Sequence, residues 1–260
     1  MNRLTTLFSS SSGNCVLISN SDTNILIDAG VSAAKIVKSL KDAQLDICEI
    51  DAILVTHEHS DHIAGVGTLS RNYNIPVYAN SSTMSGIISC IGDLHDRNIR
   101  IINQGTPFSI RSMEITPFSI PHDAADPVGY TVLTENKRLS VATDTGHITK
   151  SMLINMSKSD SVLIESNHDV DMVKNGKYPY ILKKRILSDT GHLSNDKAAW
   201  LSTQLALWGT KKIMLGHLSE NNNTAEKAFE TTKRLLEENK FKINQDVILK
   251  VAMKNQITFL

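Results

Sequence analysis

Three histidines and an aspartate crowd into six residues, His57-Glu58-His59-Ser60-Asp61-His62. Neutral imidazole and carboxylate are the donors that suit Zn2+, Mn2+ or Fe. An apolar, β-type run, Ala52-Ile53-Leu54-Val55-Thr56, stands directly before them, so the cluster leaves the end of a buried strand. Packing gives no reason to gather such groups, because unpaired polar atoms at a strand end only cost stability. His57 and His59 lie two apart and share a face, while Asp61 and His62 turn toward a second point. The pattern HxHxDH therefore reads as half of a two-metal site.

Two metals need more donors, and the next candidates also sit where apolar runs end. Asp28 closes Ile25-Leu26-Ile27, His122 follows Pro121, Asp144 follows the run 139–143, and His217 follows Ile213-Met214-Leu215-Gly216. Donors delivered from successive strand ends at one sheet edge converge on a common point. The pattern around them predicts strands at 14–18, 24–28, 52–56, 75–79, 100–103, 108–110, 113–118, 128–134, 139–142, 161–165, 212–215 and 247–252. Helical spacing covers 32–40 (Ser32 as N-cap), 63–73, 81–88, 180–187, 196–208 and 224–239. No Pro/Gly-rich linker divides the chain. Two packed sheets with helices outside, an α/β sandwich in one domain over 1–260, account for this grammar.

Lys plus Arg and Asp plus Glu both number 27, a balance that disfavours tight nonspecific duplex binding. A local patch or bound divalent ions still supply positive potential. Met1-Asn2-Arg3-Leu4 runs into Ser9–Ser12 without the apolar core of a signal peptide, and no apolar run suits a membrane helix. Cys15, Cys48 and Cys90 have no paired spacing, which fits buried, inert thiols in a reducing compartment. A cytoplasmic location and no membrane partner are expected.

The order Asp28, HxHxDH, His122, Asp144, His217 resembles the metallo-β-lactamase fold superfamily. The resemblance implies an αββα sandwich, two mixed β-sheets flanked by helices. It implies His57, His59 and His122 on a first divalent ion, and Asp61, His62 and His217 on a second. Asp144 would bridge them, and Asp28 would orient a ligand from behind. An Asp at the bridging position, where many true β-lactamases have Cys, points away from antibiotic hydrolysis. Phosphodiesterases, thioester hydrolases of the glyoxalase II type and redox di-iron members remain.

Glu165, ending 161–165, and Thr190-Gly191-His192-Leu193-Ser194 resemble motifs of nucleases related to transfer-RNA 3′-processing enzymes. That likeness implies that Glu165 orients His192 and that His192 protonates a leaving oxygen; a structural ion pair is the other possibility. Ser11-Ser12-Gly13-Asn14-Cys15, Glu165-Ser166-Asn167-His168-Asp169, Asn175-Gly176-Lys177-Tyr178-Pro179, Lys184-Arg185-Ile186-Leu187 and Gly191-His192-Leu193-Ser194-Asn195 resemble the YycJ/WalJ family. The family implies exonuclease action from the 5′ end, on DNA in preference to RNA, in DNA repair. The clamp domain of β-CASP nucleases has no counterpart in a chain this short.

Lys174, Lys177, Lys183, Lys184 and Arg185 form the most basic stretch, with Tyr178 and Tyr180 interleaved, a combination that suits a nucleic-acid strand. Tyr178 and Arg185 are the expected substrate contacts there, and Lys183 and Lys184 a solvated helix face. Asn167 and Ser194 join the contacts from their motifs, and His168 either touches substrate or steadies a loop. The loop Ser9–Asn14 either offers hydroxyls and N–H groups to phosphate or is a flexible turn. The residues leave open Mn2+, Zn2+ or Fe, and also thioester or lactone hydrolysis on the same centre. A non-catalytic metal site and any oligomeric state remain open too.

Overall fold

Isoleucine, leucine and valine fill consecutive positions of the central strands, so those strands bury both faces and need a covering layer on each side. In the computed structural model, which describes residues 3–260, two seven-stranded sheets pack face to face with helices outside each. The first sheet contains β1 (Arg3–Phe8), β2 (Cys15–Ser19), β3 (Asn24–Ile27), β4 (Ala52–Leu54), β5 (Val77–Ala79), β6 (Ile99–Ile101) and, beside β1, β14 (Thr258–Phe259). The second contains β7 (Phe108–Ile110), β8 (Met113–Ser119), β9 (Val128–Leu133), β10 (Arg138–Ala142), β11 (Ser161–Glu165), β12 (Lys212–Gly216) and β13 (Ile248–Val251). Each sheet is mixed: β3 to β6 and β10 to β13 run parallel, and the remaining pairs are antiparallel.

Side-chain alternation sorts the layers. Ile25, Ile27, Leu54, Leu163 and Met214 meet between the sheets with Tyr130. Their neighbours Leu26 and Ile53 face outward onto Ile36 and Leu40 of α1 (Ala33–Asp42), Leu69 of α3 (Val66–Tyr73) and Ile87 of α4 (Ser81–Ile91). Val162, Ile164 and Ile213 face the other way, onto Met152 of α5 (Lys150–Met156), Leu201 and Leu205 of α8 (Asn195–Leu207) and Leu236 of α9 (Ala225–Glu238). The short helices α6 (Val170–Asn175) and α7 (Tyr180–Ile186) follow β11. Parallel pairing sends the chain out of β3, β4, β10, β11 and β12 beside one another, and their following residues build the site.

The expected hairpin forms as β2 and β3, with Val16 opposite Ile27. The expected helix over 63–73 is instead α2 (Ser60–Ile63) followed by α3. Gly65 separates them: its N–H bonds to the Ala29 carbonyl at 2.8 Å, and a Cβ there would overlap the Val31 carbonyl oxygen. Ser32 occupies the N-cap position of α1, but its side chain makes no capping hydrogen bond. β1, β14, α5 and α6 go beyond the expected elements. Of the three thiols only Cys15 is buried; Cys48 and Cys90 are exposed, Cys48 in a 3-10 turn and Cys90 at the end of α4, so burial is wrong for two of them. No helix among the described residues is long and apolar enough to cross a membrane.

Candidate metal centre and active site

Three residues at strand ends take the left-handed backbone conformation: Asp28 (φ 61°), Asp144 (φ 57°) and His217 (φ 55°). Such a residue turns the chain sharply and costs about 1–2 kcal/mol, with Asp and His among the side chains that accept it most readily. All three side chains enter the same cluster. The backbone behind it is equally tight, since a Cβ on Gly30 would overlap the Asp61 carbonyl oxygen.

His57 Nε2 lies 3.0 Å from His59 Nδ1, and His122 Nε2 lies 3.3 Å from the same atom. Their outer nitrogens have partners of their own, His57 Nδ1 with Thr56 Oγ1 at 3.0 Å and His122 Nδ1 with the Gly191 carbonyl at 3.1 Å. Outward protons on Nδ1 leave both Nε2 lone pairs aimed at one point. Burial, above all, holds His57 and His122 below the usual histidine range, hence neutral. Three imidazole nitrogens meeting at a point are what a divalent cation satisfies together.

The adjoining set carries the carboxylates. His62 Nε2 is 3.0 Å from Asp144 Oδ2 and 3.5 Å from Asp61 Oδ2. His217 Nε2 is 3.4 Å from Asp144 Oδ1 and 3.7 Å from Asp61 Oδ2. Asp144 Oδ1 also stands 3.8 Å from His122 Nε2, which puts this carboxylate between the two groups. Asp144 Oδ2 and His217 Nε2 are buried without a partner in hydrogen-bond geometry. Burial opposes every charge here, yet Asp28 and Asp144 hold His62 well above its usual range, and Asp144 and Asp61 raise His217 to about 10. Against the same burial, His217 and His62 keep Asp61 and Asp144 ionised far below theirs. Protonated imidazoles thus balance the carboxylates with the charge that a cation would replace. Orphaned polar atoms, converging lone pairs and the nitrogen–oxygen donor set all fit a divalent metal.

Asp28 stands behind His62, with Oδ2 2.7 Å from His62 Nδ1, and it accepts from the Thr56 N–H at 2.8 Å and the Thr56 hydroxyl at 2.9 Å. It is placed to orient His62, not to bind. Asp28→Asn is expected to lower metal affinity about 10- to 100-fold with the fold intact. Titration with a competing chelator measures this, and parental affinity would remove Asp28 from the site. Thr56, Ser9 and Asn14 are positioning residues that the sequence patterns miss. Ser9 Oγ accepts from the His217 N–H at 2.9 Å, and Asn14 Nδ2 lies 3.1 Å from His62 Nε2. The serine loop is therefore a brace for two candidate ligands.

Glu165 is fully buried and accepts four hydrogen bonds. Oε1 is 2.8 Å from both His192 Nδ1 and His217 Nδ1, while Oε2 accepts from Thr145 N at 2.8 Å and Leu193 N at 3.0 Å. Burial works against its charge, but His192 and these bonds bring its pKa down to about 2. With its oxygens so engaged, Glu165 is an orienting group for two imidazoles. His192 is raised, since the Glu165 carboxylate outweighs burial, and its Nδ1 is the nitrogen that Glu165 holds.

A cleft of about 390 Å3 opens over these residues, walled by Asn167, Tyr178, Arg185 and His192 together with Ser11 and Ser219. Asn167 Nδ2 donates to the His217 carbonyl at 2.9 Å, and the Tyr178 hydroxyl accepts from Asn221 at 2.8 Å. Arg185 forks onto Asp123 at 2.5 and 3.1 Å, and Asp123 Oδ1 is 3.3 Å from His122 Nε2. Asp123 is a further neighbour of the centre with no motif to announce it. Two expected contacts lie outside this wall. Ser194 is buried and caps α8, its Oγ accepting from Lys197 N at 3.3 Å. His168 is buried behind the cleft, where it bridges to Ser194 through the backbone.

A family model for the β-lactamase superfamily domain matches residues 23–218. The chain is 38% identical over 239 residues to exodeoxyribonuclease YycJ of Bacillus anthracis, covering 92% of this chain and 90% of that protein. It is 40% identical over 227 residues to exodeoxyribonuclease WalJ of Streptococcus pneumoniae, covering 86% and 84%. Among solved structures, the metallo-β-lactamase fold protein YhfI from Bacillus subtilis superposes with a TM-score of 0.76 at 15% identity, covering 99% of both chains.

Proposed function

Since the chain belongs to the β-lactamase superfamily, alongside the exodeoxyribonucleases YycJ and WalJ, and is a metal-dependent hydrolase, we propose that it is a DNA exonuclease releasing nucleotides from the 5′ end in DNA repair. In this proposal His57, His59 and His122 hold one divalent ion and Asp61, His62 and His217 another, with Asp144 between them. The donors accept Mn2+, Zn2+ or iron. When bound, such ions acidify an attacking water and offset charge on the phosphate. Asp61, kept ionised by His217 and His62, orients that water by accepting its hydrogen bond.

One observation carries the phosphodiester assignment: a buried carboxylate holds His192 at 2.8 Å in the wall of the metal cleft. Cleaving a P–O bond expels an alkoxide that needs a proton, whereas a thioester expels a thiolate that leaves without one. His192 holds that proton for the departing 3′ oxygen, and Glu165 keeps the ring aligned. Arg185 offers the planar fork that matches phosphate, provided it exchanges Asp123 for substrate. Tyr178 and Asn167 line the path of the nucleotide.

Metal-loaded protein on 5′- and 3′-labelled DNA, single-stranded and duplex, with matching RNA, tests the proposal beside an Asp61→Ala control. Mononucleotides released from the 5′ end of DNA and lost in the control are the expected result. Intact nucleic acid in every lane with metal bound would move the assignment to a thioester or lactone substrate.

A further inference from the structure

Tyr180 and Ile181 open α7 with 79% and 81% of their surfaces exposed, more than any other large apolar side chain among the described residues. They adjoin the cleft, because Tyr178, Leu182, Arg185 and Ile186 of the same segment form one of its walls. Ile181 precedes Arg185 by one helical turn, so the wall continues outward into solvent. Charge marks the same segment. From Lys174 to Leu187 there are five Lys or Arg and no Asp or Glu, in a chain whose charges balance at 27 each. A polyanion is drawn to such a segment, and an unpaired base has the flat face that an exposed tyrosine ring accepts. A second copy of this chain fits poorly, since two-fold pairing would bring like charges together.

We propose that α7 is a stacking ridge for an unpaired DNA strand, whose bases beyond the metal cleft lie on Tyr180 and Ile181 while the lysines run beside its phosphates. The inference rests on the nuclease assignment and deepens it. It requires the strand to be unpaired where it crosses the ridge, whether it comes from a single strand or from an opened duplex end, because bases within a duplex have no free face.

The test uses the metal-loaded, full-length protein and its Tyr180→Ala, Ile181→Ala and Tyr180→Phe variants. Substrates are a single strand of about a dozen nucleotides, a dinucleotide and bis(p-nitrophenyl) phosphate. Tyr180→Ala is expected to raise KM for the longer strand at least about 5-fold with kcat unchanged, and Tyr180→Phe to restore it. The two short substrates, which end before the ridge, should not distinguish the variants. Parental KM on the longer strand in both alanine variants, with the parent digesting it, would overturn the ridge and leave the nuclease assignment standing. A change of oligomeric state in either variant, read by light scattering, would make the surface a subunit interface instead. A parent that hydrolyses bis(p-nitrophenyl) phosphate but no DNA would remove the nuclease assignment and the ridge with it.

Discussion

His192→Ala is expected to fold and bind metal as the parent does, and to digest DNA about 100- to 10,000-fold more slowly. His192 stands beside Asp144 and His217 but turns its Nδ1 to Glu165 at 2.8 Å, so under the proposed ligand assignment its loss removes no ligand. Glu165 keeps the Thr145 and Leu193 N–H groups and His217 Nδ1, so the buried carboxylate stays satisfied. Changing Glu165 would be less informative, because the same oxygen that aligns His192 also aligns His217. The deficit should depend on the leaving group. Nitrophenolate departs without much protonation, so the variant should recover most of its rate on bis(p-nitrophenyl) phosphate. Equal losses on DNA and on the nitrophenyl ester, with metal content unchanged, would reduce His192 to a structural partner of Glu165.

Much of this centre is legible in the sequence because its donors are concentrated. HxHxDH gathers unusual side chains directly after a strand-like run, and His122, Asp144 and His217 each end a run of apolar residues. What escapes is set by tertiary pairing. β11 lies parallel to β12 with Glu165 opposite Gly216, and that register brings to His217 the carboxylate that the motif resemblance places beside His192 alone. No local pattern encodes it. Ser9 and Asn14 reach the site only because the loop between β1 and β2 folds over residues that lie far along the chain. β1 itself is hard to read, since Thr5 and Thr6 are buried among apolar neighbours and mask the alternation. Ser194 shows the opposite hazard. Its position in a catalytic-looking motif suggests substrate, while Asn195 and Asp196 after it mark a helix start, and the capping role is what the fold uses.

Asp144→Ala is expected to cost metal occupancy, to lower activity on the order of 1,000-fold or more, and to destabilise the metal-free protein. Each effect has its own cause. The carboxylate lies 3.0 Å from His62 Nε2 and 3.4 Å from His217 Nε2 in one group and 3.8 Å from His122 Nε2 in the other, so removing it strips a donor that stands between the two groups of candidate ligands. The same removal leaves two buried, protonated imidazoles short of their counter-charge, and a lost partner in a buried ion pair costs about 3–5 kcal/mol. Alanine also tolerates the left-handed φ of 57° less well than aspartate, at about 1 kcal/mol. Asp144→Asn separates these causes: asparagine accepts the backbone and keeps an oxygen donor but carries no charge. Metal lost in both variants, with the greater fall in thermal midpoint in alanine, would show that the charge holds the ions and the backbone adds only stability. The readouts are metal content after gel filtration and the thermal midpoint with and without chelator. If both variants keep the parental number of ions at parental affinity, Asp144 does not bridge, and the convergence of carboxylate oxygens on His62 and His217 is an ion-pair network alone.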